Sequence, residues 1–113
     1  MKKASTAKKG QYYKRKTKLW FIEKGWATEY VERMQVIHAK AGKLVYIKKD
    51  LWGADGCSMN GKEIIFWNSK FGRLHINDGI EEFKKYPYPP QVQRWLVVWE
   101  KGVKEPEIIN VTV

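Results

Sequence analysis

The stretch 53-GADGCSMNGKEIIFWNSK-70 decides how the rest of the chain is read. At its centre, Asn60-Gly61 is the dipeptide best suited to a two-residue β-turn whose central positions both need positive φ. The flanking runs, residues 54–59 and 62–70, carry alternating, β-branched and aromatic side chains that favour strands. A hairpin is therefore expected, and with Asn60 and Gly61 as its turn Asp55 stands opposite Phe66 and position 53 opposite Asn68. Side chains alternate across a strand, so Asp55, Cys57, Ile64, Phe66, Asn68 and Lys70 project from one face. The apolar members face a core, and Asp55, Asn68 and Lys70 gather at the open end.

Upstream, Tyr13, Thr17, Trp20 and Phe21 fall at helical spacing within residues 11–24, with Lys14, Arg15 and Lys18 on the opposite side and Gly25 as the stop. Residues 1–9 have no apolar period and read as a flexible basic arm, leaving residues 10–113 as a single domain. Residues 26–34 alternate like a strand. Residues 39–43 read as a connection, and residues 44–47 as an extended piece or an edge strand. Downstream, Asn77 or Asp78 can cap a helix that runs to Tyr86 with Ile80 and Phe83 turned inward. Pro87-Tyr88-Pro89-Pro90 stops it, and residues 92–100 and 107–113 read as two more strands. The order is helix, three strands, helix, two strands, which makes an α/β domain.

A chain of 113 residues with 43% hydrophobic content closes one core and is too short for two ordinary domains. No apolar run is long enough for a membrane helix, and no hydrophobic segment follows the lysine-rich start, so no membrane partner and an intracellular, cytoplasmic location are expected. The single cysteine, Cys57, has no internal disulfide partner and no zinc-ligand spacing around it. The net charge of +10 favours a polyanion, and nine Lys or Arg against one acid in residues 1–24 concentrate it at one end. Nucleic acid, DNA in the first place, is the expected partner. A solubilising tail is the bland alternative.

A carboxylate, an amide oxygen and an ammonium close together can hold a hard cation and a phosphate at once. Mg²⁺ (or Mn²⁺) takes oxygen ligands, here Asp55 and the side-chain oxygen of Asn68, while Lys70 orients the attacking water or neutralises charge on the phosphate. The alternative is an ordinary Asp55–Lys70 surface pair with Asn68 at the rim. Lys48 and Lys49 can take phosphates, and Trp52 beside them can stack on a base or instead anchor its loop. The other five tryptophans fit core positions. His38 and His75 are isolated and read as surface or packing residues, and Asp50 as a second acid or a loop cap.

The element order and these motifs together resemble the PD-(D/E)XK nuclease superfamily, which includes archaeal Holliday-junction resolvases and phage endonucleases. Gly53-Ala54-Asp55-Gly56 is similar to the family's Asp motif, and Asn68-Ser69-Lys70 to its acid-x-Lys motif. Lys9-Gly10, Lys24-Gly25-Trp26 and Asp50-Leu51-Trp52-Gly53 also resemble such relatives. The resemblance implies a restriction-endonuclease-like αβββαβ core with a central mixed sheet and an extra C-terminal strand. It implies a metal-dependent endonuclease that hydrolyses phosphodiester bonds, with Asp55, Asn68 and Lys70 as its catalytic residues. Lys14, Arg15, Lys18, Lys48, Lys49 and Trp52 would hold the nucleic acid. Two positions depart from the family: Asn68 stands for the acid, and Lys14 for a helix Glu. Glu29, or else Glu32, is the acid expected to join Asp55 and Asn68 at the metal. A catalytically degenerate domain that binds DNA or RNA without cutting it is the second reading, and a protein-binding adaptor the third. Many relatives act as dimers, and the terminal strands are the candidate homodimer interface.

Overall fold

A computed structural model describes residues 6–38 and 44–112, by backbone alone for residues 6–9, 33–38 and 44–49. Helix α1 (Thr6–Glu23) begins earlier than its apolar period suggests and takes in the end of the stretch expected to be an arm. Residues 1–5 lie outside the described residues. Thr17 and Phe21 are fully buried on its inner face, with Tyr13 and Trp20 beside them, as the spacing predicts. Gly25, at φ 90°, ends the helix, and the Trp26 amide turns back to the Phe21 carbonyl at 3.0 Å.

Strands β1 (Ala27–Tyr30), β2 (Arg33–His38), β3 (Leu44–Lys49), β4 (Gly56–Met59) and β5 (Ile64–Phe71) follow, then α2 (Ile76–Lys84), β6 (Gln93–Trp99) and β7 (Glu107–Asn110). Five of the strands form a sheet in the order β1-β4-β5-β6-β7. Only β5 and β6 run parallel within it, as a crossover through α2 requires. The result is a mixed α/β domain with the expected αβββαβ core and an added last strand.

The single strand expected over residues 26–34 is broken at Val31-Glu32. Its first half pairs with β4 until Tyr30 meets Gly56, where that ladder ends, and the Val31 amide bonds the Asp55 carbonyl at 3.0 Å. Its second half leaves the sheet and pairs with β3 in a separate two-stranded ribbon. Residues 44–47 thus belong to a strand, and the connection at 39–43 lies outside the described residues.

The hairpin forms, but its register differs from expectation by two residues. Cys57, not Asp55, faces Phe66, and Met59 faces Ile64. Gly61-Lys62 are the central pair. Asn60 acts through its side chain: Oδ1 accepts the Lys62 and Glu63 amides at 3.0 and 2.8 Å, leaving positive φ to Gly61 alone. An even slip keeps each ladder residue on its face.

The sheet buries both faces. Against α1 it packs Ile65, Trp67, Val97 and Trp99 on Phe21. Against α2 it packs Ala54, Leu96 and Val98 on Ile76 and Phe83. Each such side chain is worth roughly 1.5–3 kcal/mol on burial. Thr17 locks the first interface: its hydroxyl accepts the Trp99 indole N–H at 2.8 Å, donates to the Tyr13 carbonyl at 2.8 Å, and stands 3.1 Å from Ser69 Oγ. Helix α2 starts at Ile76, ahead of the expected Asn77 or Asp78 cap, with His75 at its N-cap making no capping bond and pairing instead with Asp78. Ile80 and Phe83 turn inward as expected. No described helix is long and apolar enough to cross a membrane.

Candidate metal and nucleic-acid site

The site begins with a tight reversal just before β4. Leu51 and Ala54 exchange backbone hydrogen bonds of 3.2 and 2.9 Å across Trp52-Gly53, whose φ values are 51° and 80°. Gly53 takes such a conformation freely, whereas it costs an L residue such as Trp52 roughly 1–2 kcal/mol. The chain then passes under the Trp67 indole at Gly56, where a Cβ would lie 2.1 Å from the ring. Only glycine fits. Gly56 is the ladder partner of Trp67, yet the Asp55 amide also bonds the Trp67 carbonyl, at 2.8 Å. Two residues opposite one make a bulge, and the bulge takes Asp55 off the alternation of the strand.

Asp55 therefore turns its carboxylate toward α1. It is 2% exposed, with Oδ2 accepting the Ser69 amide at 2.8 Å and Oδ1 lying 3.8 Å from the Lys14 ammonium. Lys14 also pairs with Glu32 at 2.5 Å. Asp50, at the exposed side, completes a group of three carboxylates with Glu32 and Asp55, whose oxygens lie within 4.8 Å of one another. Burial pushes the Asp55 carboxyl up to about 8; Lys14 and the Ser69 amide oppose this, while Asp50 and Glu32 reinforce it. Burial works against the Lys14 ammonium, but Asp55, Glu32 and Asp50 together hold its pKa above the usual lysine value.

Asn68 and Lys70 belong to another face. In the parallel ladder they stand opposite Leu96 and Val98, which pack on the α2 side. The Asn68 amide donates to the Gly53 carbonyl at 2.9 Å, and its Oδ1 is buried with no hydrogen-bond partner among the described residues. Lys70 runs past α2, its Cε 3.1 Å from where a Cβ on Gly79 would stand. The expected gathering of Asp55, Asn68 and Lys70 on one face is thus corrected: the bulge sends the carboxylate one way and the ladder sends the amide and the ammonium the other.

The remaining candidates divide similarly. Glu29, expected near the metal, is exposed and faces Lys18 at 3.6 Å, while Glu32 holds the place beside Asp55. Lys14 and Lys18 do not lie on the outer face of α1. Lys14 precedes the buried Thr17 by three residues and so shares its inward side, and Lys18 lies over the Tyr30 ring at 4.7 Å. Arg15 is exposed. The backbone of Lys48 and Lys49 lies in β3, and their side chains are outside the described residues. Trp52 is 51% exposed, its carbonyl held by the Tyr88 hydroxyl at 2.8 Å, beside a cleft of about 250 Å³ lined by Trp52, Tyr86, Pro87, Tyr88 and Pro89. The sequence alone singled out neither this cleft nor the joint placement of Glu32 and Asp50. The signal available for the acids was their proximity in sequence to the Asp55 turn and to the end of β1.

No protein-family model and no curated protein matches this chain. Among solved structures it is similar to Archaeoglobus fulgidus Hjc, a Holliday junction resolvase from an archaeal hyperthermophile. The TM-score is 0.59 over 91% of this chain and 73% of that one, at 15% identity. At that identity the likeness establishes the fold, and it is the fold expected from the order of elements.

Proposed function

We propose that the domain binds DNA and hydrolyses phosphodiester bonds with Mg²⁺ or Mn²⁺, through a cluster in which Glu32 and Asp50 join Asp55. The observation that carries this is the convergence of three carboxylates at the bulge before β4, Glu32 from the break after β1 and Asp50 and Asp55 from the two ends of the Leu51–Ala54 reversal. Such a donor set suits a hard cation. Asp55 also fits, because a buried carboxyl pushed up to about 8 sits where more positive charge is favourable than Lys14 alone supplies.

Glu32, Asp50 and Asp55 would hold the ion, which when bound supplies Lewis-acid polarisation of the phosphoryl oxygen and lowers the pKa of an attacking water. The Ser69 amide keeps the Asp55 carboxylate oriented. Lys14 neutralises part of the cluster before loading and is free to swing toward a phosphate once a cation takes its place. Arg15 offers an exposed guanidinium for the backbone. Lys70, with no ion-pair partner among the described residues, and the orphaned Asn68 Oδ1 are polar groups left available at the neighbouring face.

The test is cleavage of duplex, flap and four-way-junction DNA with Mg²⁺ or Mn²⁺, comparing the wild type with Asp55→Ala and Glu32→Gln. Both variants should lose at least about a hundredfold in rate, the scale on which removing one group that stabilises developing transition-state charge lowers kcat. Unchanged cleavage in Asp55→Ala would refute the assignment. A second reading, DNA binding without hydrolysis, is favoured by the Lys14 ammonium lying among the carboxylates and by the turning of Asn68 and Lys70 toward α2. Salt-sensitive binding with no cleavage of any substrate would establish that reading instead.

A further inference from the structure

The Trp52 cleft is not used by the carboxylate cluster, yet its walls are held in place. Among the described residues Trp52 is the one non-glycine residue with positive φ, and the strained backbone presents an indole that is half in solvent. Tyr88 meets it nearly edge-on, at 6.3 Å and 89°, so that two aromatic rings form perpendicular walls. The Tyr88 hydroxyl fixes the Trp52 carbonyl, and Pro87 and Pro89 stiffen the segment opposite.

We propose that this cleft is a stacking site for one unpaired nucleobase of the DNA whose backbone lies at the Glu32-Asp50-Asp55 cluster. The inference rests on the reading of the domain as DNA-binding and deepens it by naming a substrate class. Aromatic faces accept any base, because every base offers a π-face. A cleft of about 250 Å³ with walls of two tyrosines, a tryptophan and two prolines suits a flat, apolar-faced guest. The charge argues for a nucleic acid over a neutral peptide, since the chain carries +10.

Position argues the same way. Trp52 is three residues before Asp55, which holds their Cα atoms within about 11 Å. The indole turns toward Phe66 and Tyr88 on the α2 side and the Asp55 carboxylate toward α1, so a strand must round the reversal to reach both. At about 3.4 Å per nucleotide the backbone separation alone spans at most roughly three nucleotides, and the reach of the side chains adds to it. A base in uninterrupted duplex must first be unpaired and unstacked to enter, whereas a bulge, flap or junction arm already presents one. The preferred substrate class is therefore DNA with an unpaired base close to the bond that is cut.

The experiment uses the full chain with a chelator present and two DNAs of equal length, one fully paired and one carrying a single unpaired 2-aminopurine. The wild type should bind the second roughly five- to a hundredfold more tightly, the range for stacking one base on an aromatic side chain. The 2-aminopurine emission should fall on binding. Trp52→Gly removes the indole while accepting the positive φ, and it should bring the affinity ratio near one; Trp52→Asn, which also tolerates that conformation, serves if the glycine variant does not fold. A wild-type ratio near one, or a ratio unchanged in the variant, overturns the proposal. So does a wild-type dimer that Trp52→Gly dissociates without altering the ratio, which would give the cleft to a second copy of the chain. Cleavage with Mn²⁺ is measured separately: discrimination without cleavage refutes the nuclease reading and keeps the stacking site, and cleavage without discrimination does the reverse.

Discussion

Replacing Asp55 by an asparagine should make the protein more stable at neutral pH and remove most of the pH dependence that the cluster imposes. Asp55 is 2% exposed, and its carboxyl moves from 3.8 up to about 8, chiefly through burial and despite the Lys14 ammonium and the Ser69 amide. The folded state thus binds the proton more tightly than the unfolded chain does. The contribution of this group to stability is complete below pH 3.8 and is lost as pH rises toward about 8. Between pH 5 and pH 7 the loss is at most about 2.7 kcal/mol, from about 1.4 kcal/mol per pH unit. Lys14, Glu32 and Asp50 all face the same carboxyl and share the titration, so about 1–2.5 kcal/mol is expected. An amide side chain keeps an oxygen for the Ser69 amide and carries no charge to desolvate. Urea unfolding with a chelator present, at pH 5, 6 and 7, reads the effect: the wild-type midpoint should fall by about 0.5–2 M across that range, at the slopes usual for small domains. The midpoint of Asp55→Asn should stay nearly level. Mn²⁺ should raise the wild-type midpoint at pH 7 and leave the variant unmoved. Parallel pH profiles for the two proteins would refute the account of Asp55 as a desolvated, charge-starved carboxyl.

Two further substitutions probe the supports of the site. Lys14→Met removes the ammonium from Glu32 and Asp55; with Lys14 still about a fifth exposed, a loss of about 1–3 kcal/mol without metal is expected, recovered by Mn²⁺ in thermal unfolding. Gly56→Ala puts a methyl group 2.1 Å from the Trp67 ring, so either the indole or the bulge must move, at a cost of about 1–3 kcal/mol in urea unfolding and with loss of the Asp55 geometry.

How much of this was legible follows from which forces act along the chain and which act across it. The Tyr13-Thr17-Phe21 period, the paired runs about Asn60-Gly61 and the Tyr-Pro stop after α2 are local signals. They gave the elements, and the element order gave the fold. The register was nearly local too, failing only because Asn60 spent its side chain on the turn amides and passed the central position to Gly61 and Lys62. That error was harmless, since a slip of two residues preserves faces. The damaging error was a slip of one. The crowding of Gly56 against Trp67 doubles the chain opposite a single partner, and this lies across the hairpin, where no period reveals it. One inserted residue was enough to part Asp55 from Asn68 and Lys70 and to hand it to Lys14. The same bulge sets the carboxylate beside the break after β1, where Val31 bonds Asp55 and Glu32 turns inward. The loss of the expected partners and the arrival of Glu32 are thus one structural event, which sets the Asp55 carboxylate beside Glu32 and Lys14.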